Sequence, residues 1–155
     1  MQRRHYAKKI DVGDASRLKV GIAVSEFNSD ITGSMLEAAL ETLREWKVPK
    51  KAINIMYVPG SFELPLASAK LIKKKADVVI ALGCVIKGET KHDEYISNAV
   101  AQGLTQLMLT TGVPIGFGVI TPNNLAQAKA RSRGRANKGI EATIAALRMA
   151  LVIVN

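Results

Sequence analysis

Val78-Val-Ile-Ala-Leu-Gly-Cys-Val-Ile86 is the longest uncharged apolar run in the chain, and its surroundings decide what it forms. Nine residues fall far short of the roughly twenty that span a membrane. A β-branched run flanked by Lys73-Lys-Lys75 on one side and Gly88-Glu-Thr-Lys-His92 on the other reads instead as a strand covered on both faces, as in a parallel sheet. The strand is predicted over Asp77 to Leu82, and Gly83 to Lys91 forms a loop. A long helix follows, with Ile96, Val100, Leu104, Leu107 and Met108 on one face, stopping near Gly112 and Pro114.

The same strand-then-helix unit repeats outward in both directions. Upstream, Ala52 to Val58 is a strand, Pro59-Gly60 a turn, and Phe62 to about Lys74 a helix that tolerates Pro65 because it lies in the first turn. Before that, Leu18 to Val24 is a strand, Asn28-Ser-Asp30 a turn, and Ile31, Met35, Leu36, Ala39, Leu40, Leu43 and Trp46 repeat near 3.6 residues. Downstream, Ile115 to Ile120 is a fourth strand, and Thr121-Pro-Asn-Asn124 opens a short helix to about Arg131. After a basic loop, a last helix carries Ile140, Ile144, Leu147 and Leu151 from about Lys138. Alternating elements with short links require parallel pairing and right-handed crossovers. The expected fold is therefore α/β: a three-layer sandwich with a four-stranded parallel sheet in flavodoxin-like winding. It forms one domain over residues 18–155, behind a basic N-terminal arm over residues 1–17.

Composition narrows the function. At 155 residues, 48% hydrophobic and 23% charged, the chain is too apolar for disorder and rich for a small monomer, which points to subunit contacts. No secretory h-region follows the opening Met-Gln-Arg-Arg, so a soluble, unexported, cytoplasmic protein is expected. One cysteine, Cys84, forbids an intrachain disulfide, and with two histidines it is too little for a multi-ligand zinc site. The net charge of +9 is clustered: Arg3, Arg4, Lys8 and Lys9 lie at one end, and Lys129, Arg131, Arg133, Arg135 and Lys138 follow one another with no acid between them. The remaining 13 bases match the 13 acids. No aromatic residue interleaves the arginines to stack bases, which argues against nucleic acid as a partner.

In sheets of this winding, ligands sit beyond the carboxyl ends of the strands, so chemistry is sought at Ser25–Asn28, Pro59–Glu63, Gly83–His92 and Phe117–Thr121. Phe27-Asn28 is either a core cap followed by a helix N-cap, or an aromatic plate beside a polar amide. Pro59-Gly-Ser-Phe-Glu63 lacks the spacing of a serine-nucleophile elbow, which leaves Gly60 for close backbone approach and Glu63 for the helix dipole or ligand hydroxyls. The segment from Gly83 to His92 leads into a helix N-terminus, where free amides favour phosphate, and His92 is a candidate proton acceptor. Cys84 reads better as a packed wall than as a nucleophile. Gly116-Phe-Gly118 falls inside a strand and lacks the third glycine of a dinucleotide fingerprint.

Taken together, Phe27-Asn28, Val58-Pro-Gly-Ser-Phe-Glu63, Leu82-Gly-Cys-Val-Ile-Lys-Gly88 with Thr90 and His92, Thr111-Gly-Val-Pro114 with Phe117-Gly118, and Asn137-Lys-Gly139 resemble the 6,7-dimethyl-8-ribityllumazine synthase family over roughly Val20 to Leu151. The resemblance implies condensation of 5-amino-6-(D-ribitylamino)uracil with 3,4-dihydroxy-2-butanone 4-phosphate, releasing phosphate and water, without cofactor or metal. It implies that Phe27 stacks on the pyrimidine. Asn28, Gly60, Ser61, Phe62 and Glu63 would hold the ribityl chain and ring edge, and Cys84, Val85 and Ile86 would line the pocket. Glu89 would contact substrate, and Thr90 with neighbouring amides would hold the phosphate together with Arg131. His92 would move protons, oriented by Glu141, while Phe117 and Lys138 would enter from an adjacent subunit.

The resemblance also implies a homo-oligomer with active sites at subunit interfaces, either a pentamer or a sixty-subunit icosahedral shell. The family pattern Arg-Ala-Gly-x-Lys-x-Gly-Asn-Lys-Gly is one residue shorter here, Arg131-Ser-Arg-Gly-Arg-Ala-Asn-Lys-Gly139, so Arg133 competes with Arg131 for the phosphate. The absence of a long insertion there leans toward the shell. A related riboflavin-pathway enzyme of the same fold, a shell protein with incidental catalysis, and an RNA binder using the basic loop are the rival readings.

Overall fold

The computed structural model describes residues 12–154. Among them, strands and helices alternate: β1 (Val20–Ser25), α1 (Ser29–Glu45), β2 (Ile53–Val58), α2 (Leu64–Lys73), β3 (Val78–Cys84), α3 (His92–Thr111), β4 (Ile115–Ile120), α4 (Leu125–Arg131) and α5 (Lys138–Val154). Residues 1–11, which carry most of the basic arm expected over 1–17, lie outside the described residues. Of the remainder of that stretch, Ala15 is buried in the core and its amide donates to the Trp46 carbonyl at 2.8 Å.

The sheet is entirely parallel in the order β2-β1-β3-β4, the flavodoxin-like winding expected of the sequence. Side chains alternate between its faces. Val20, Ile22, Val24, Val78, Ile80 and Leu82 pack under α1 and α5, whereas Ala23, Val79 and Ala81 pack under α2 and α3. The two inner strands, β1 and β3, are buried along their whole length on both faces, which is why their sequences read as continuous apolar runs instead of alternating ones. Gly116 sets the fit of α5 on β4, because a methyl group there would collide with the Ala142 carbonyl. Gly139 does the same between α5 and α1, facing the Met35 carbonyl.

Several element ends shift by a residue or two from the sequence reading, as at β1 and α2, and two further differences bear on the site. β3 continues through Gly83 and Cys84, paired with Val119 and Ile120, and the Val85 and Lys87 amides donate to the Ile120 and Pro122 carbonyls at 2.9 Å each. The expected loop is therefore extended along β4 as far as Lys87, because β4 offers acceptors there. α4 starts only at Leu125, where the Asn124 side chain accepts from the Gln127 amide at 2.9 Å. Among the described residues no helix is long and apolar enough to cross a membrane.

Candidate active site

Two groups of side chains gather at the carboxyl edge of the sheet. The first is built around Phe27-Asn28 at the end of the central strand β1. The Glu26 and Phe27 amides donate to the Val58 and Pro59 carbonyls at 2.7 and 3.0 Å, tying this turn to the loop after β2. On the other side the Asn28 Nδ2 donates to the Cys84 carbonyl at 3.1 Å, tying it to β3. Asn28 has φ 59°, a left-handed conformation that asparagine tolerates better than most residues. Its side chain makes no helix cap, and the Phe27 ring is 71% exposed, so neither residue follows the core-and-cap reading.

The loop after β2 is tightly braced. The Glu63 Oε2 accepts from the Gly60 amide at 3.0 Å, so one of the two candidate ligand groups already satisfies the other. The second carboxylate oxygen is the one left for a hydroxyl. Ser61 is buried against Gly83, where any side chain would collide with its Oγ, and Phe62 is exposed. In the segment after β3, Val85 and Ile86 are half-buried, and Glu89, Thr90 and His92 are exposed. The first turn of α3 braces this segment: Asp93 Oδ1 accepts from the Gly88 amide at 3.3 Å and Thr90 Oγ1 from the His92 amide at 3.4 Å. The Cys84 thiol is buried, and burial, with the nearby Asp30 carboxylate second, pushes it up to about 11. It packs within the core under α1, which opposes thiolate formation near neutral pH.

The second group lines a cleft of about 470 Å³ at the outer edge of β4, formed by Phe117, Val119 to Asn123, Gln127, Arg131, Lys138 and Glu141. Arg131 is half-buried there, while Arg133 is exposed on the adjoining turn and does not line the cleft. The Arg131 guanidinium donates to the Gln127 carbonyl at 3.2 Å, and Lys138 Nζ pairs with Glu141 Oε2 at 2.6 Å. Within one chain, then, Glu141 is held by Lys138, and His92 belongs to the other group. Sequence reasoning singled out Phe117, Arg131, Lys138 and Glu141 and searched as far as Thr121, but missed Asn123 and Gln127. The Thr-Pro-Asn-Asn turn signal marked that position without showing that it forms a wall. Among the described residues no group of three or more His, Cys, Asp or Glu is placed to hold a metal ion.

A doubly wound parallel sheet that carries an exposed aromatic side chain after β1 and, on the far side of β3, a cleft with two cations at β4 has the layout of an α/β enzyme domain. Comparison with known proteins makes this specific. The family described as 6,7-dimethyl-8-ribityllumazine synthase matches residues 17–153. A protein of that name from Phocaeicola vulgatus is 44% identical over 140 residues, covering 89% of this chain and 83% of its own length. Another, from Porphyromonas gingivalis, is 46% identical over 135 residues, covering 86% and 84% respectively. The chain belongs to the 6,7-dimethyl-8-ribityllumazine synthase family.

Proposed function

We propose that the protein condenses 5-amino-6-(D-ribitylamino)uracil with 3,4-dihydroxy-2-butanone 4-phosphate to 6,7-dimethyl-8-ribityllumazine, releasing phosphate and water. The observation that carries this reading beyond family membership is the pairing of an exposed aromatic platform with a separate cleft that holds two cations. One suits a flat pyrimidine and the other a phosphate ester. In this reading Phe27 stacks on the pyrimidine, and Asn28 and the Gly60–Glu63 loop bind its polar edge and ribityl chain. Val85 and Ile86 line the wall. Arg131 and Lys138, with Thr90 and nearby amides, hold the phosphate. The amine attacks the ketone and a first water leaves, phosphate is eliminated, and the ribitylamino nitrogen closes the ring on the remaining carbonyl with loss of a second water. His92 carries protons through these steps, and alignment of two intrinsically reactive partners supplies much of the acceleration. Mixing the purified protein with both substrates and following lumazine absorbance and fluorescence tests the reading. A rate no greater than the uncatalysed background overturns it.

The complete site is assigned to two adjacent subunits, with Phe27, Glu63 and His92 from one and Phe117, Arg131, Lys138 and Glu141 from the next. Three features support this: the two groups sit on different strand ends, Glu141 does not meet His92 within a chain, and all three phenylalanines, Phe27, Phe62 and Phe117, are exposed. A ring of heterologous contacts, a pentamer either free or within a sixty-subunit shell, repeats and closes such an arrangement. We place the reaction in the cytoplasm, where a lone reduced cysteine fits. Co-refolding Phe27→Ala/His92→Ala subunits with Arg131→Ala subunits tests sharing. About one site in four of a random equimolar ring then combines two intact halves. Activity near a quarter of wild type, above the mean of the two parents, supports sharing. Only the mean, in rings shown by native mass spectrometry to be mixed, overturns it.

A further inference from the structure

Arg131 and Lys138 lie on either side of a turn, and a buried asparagine that does not line the cleft joins the two ends of that turn. Asn137 is 3% exposed. Its Nδ2 donates to the Ser132 carbonyl at 2.7 Å and to the Ser34 carbonyl of α1 at 3.2 Å, and its Oδ1 accepts from the Gly139 amide at 2.8 Å. Ser34 reinforces the bracket by donating from Oγ to the same Ser132 carbonyl at 2.6 Å. Ser132 adjoins Arg131, and Gly139 adjoins Lys138. One amide therefore fixes the last residue of α4 and the first residue of α5 to each other and to α1, while residues 133–136 between them are exposed. Two carbonyls and one N–H converge on it, and among side chains short enough to fit, only asparagine offers two donors and an acceptor together.

We infer that Asn137, aided by Ser34, is a positioning residue for phosphate handling: it sets the separation and aim of Arg131 and Lys138 without touching substrate. The inference rests on the proposed reading of these two cations as the phosphate ligands. A guanidinium and an ammonium on opposite sides of an exposed turn would lose their common target if the turn shifted, and phosphate binding is more sensitive to such displacement than ring stacking is.

Asn137→Ser tests the inference, because serine keeps an oxygen able to cap α5 through the Gly139 amide but cannot reach two carbonyls with its single hydroxyl. The expected result is a rise of about three- to tenfold in KM for 3,4-dihydroxy-2-butanone 4-phosphate, the scale of one or two lost neutral hydrogen bonds. Inhibition by inorganic phosphate should weaken by a similar factor, while KM for the pyrimidine stays within about twofold. A general structural role would move both KM values together, and that outcome, or no change in either, overturns the inference. Ser34→Ala should shift the same constants in the same direction by less, and it carries the test if Asn137→Ser does not fold. Arg131→Ala, measured alongside, separates the two levels of argument. If Arg131→Ala leaves KM for the ketone phosphate and phosphate inhibition unchanged, the phosphate reading falls and this inference with it. If Arg131→Ala weakens both and Asn137→Ser weakens neither, the positioning role alone falls.

Discussion

The side-chain amide of Asn28 donates to the main-chain carbonyl of Cys84 at 3.1 Å, joining the turn after β1 to the end of β3 while Asn28 itself is left-handed. The bond and the backbone conformation can be separated. Asn28→Gly keeps the conformation and loses the bond, whereas Asn28→Ala loses both. The alanine variant is expected to unfold at lower urea, by about 1–2 kcal/mol more than the glycine variant, the cost of a left-handed residue with a Cβ. Both should lose activity, since the amide also anchors the Phe27 platform. Equal stability of the two variants would show that the conformation carries no strain.

The raised proton affinity of Cys84 has a sign in the stability curve. The unfolded thiol releases its proton near the ordinary value of 9.0, and the folded one near about 11, so between these values the native state holds more protons than the unfolded state. The contribution is fully present below pH 9 and is lost as pH rises through the folded value. Urea unfolding of wild type and Cys84→Ala from pH 8 upward should show the wild-type advantage shrinking. A constant difference across that range would contradict the desolvated thiol. Near neutral pH Cys84→Ala is expected to keep most of its catalytic rate.

His92→Ala should slow turnover by less than the roughly 10²- to 10⁴-fold typical of positioned acid-base groups, because the two substrates are intrinsically reactive and alignment supplies much of the gain. Steady-state kinetics on both substrates checks this. A fall to the uncatalysed rate would make His92 indispensable and overturn the emphasis on alignment.

Gly116→Ala should destabilise the fold by about 1–3 kcal/mol, since the added methyl meets the Ala142 backbone and α5 must lift from β4. Because that shift also moves Lys138 and Glu141, activity should fall with stability. A urea midpoint and rate both equal to wild type would mean that α5 is free to slide.

The layer order was legible in the sequence because burial on both faces leaves an unmistakable apolar run, as in Val78 to Leu82, and because Gly112 and Pro114 punctuate the end of α3. The end of β3 was not. Gly83 looks like a loop residue in isolation, and only the presence of Ser61 across the face and Val119 alongside explains a glycine inside a paired strand. The candidate residues could be found loop by loop, but their division into two groups could not, since it depends on the neighbour order of β3 and β4 and on the Lys138–Glu141 pair. Asn137 was visible only as the first residue of the Asn137-Lys-Gly139 motif. Its two carbonyl partners lie 5 and 103 residues away, and no local signal announces the farther one.

Because the bracket at Asn137 closes the α4–α5 turn from beneath, the exposed stretch Arg133-Gly-Arg-Ala136 is relieved of any duty to hold the cleft. Its length becomes a nearly free variable: closing a loop of twice the residues costs only about 0.6 kcal/mol more. Residues inserted beside Gly134, which already has φ 58°, should leave the phosphate constants where they are. The turn is therefore a natural place to graft a foreign peptide onto this scaffold.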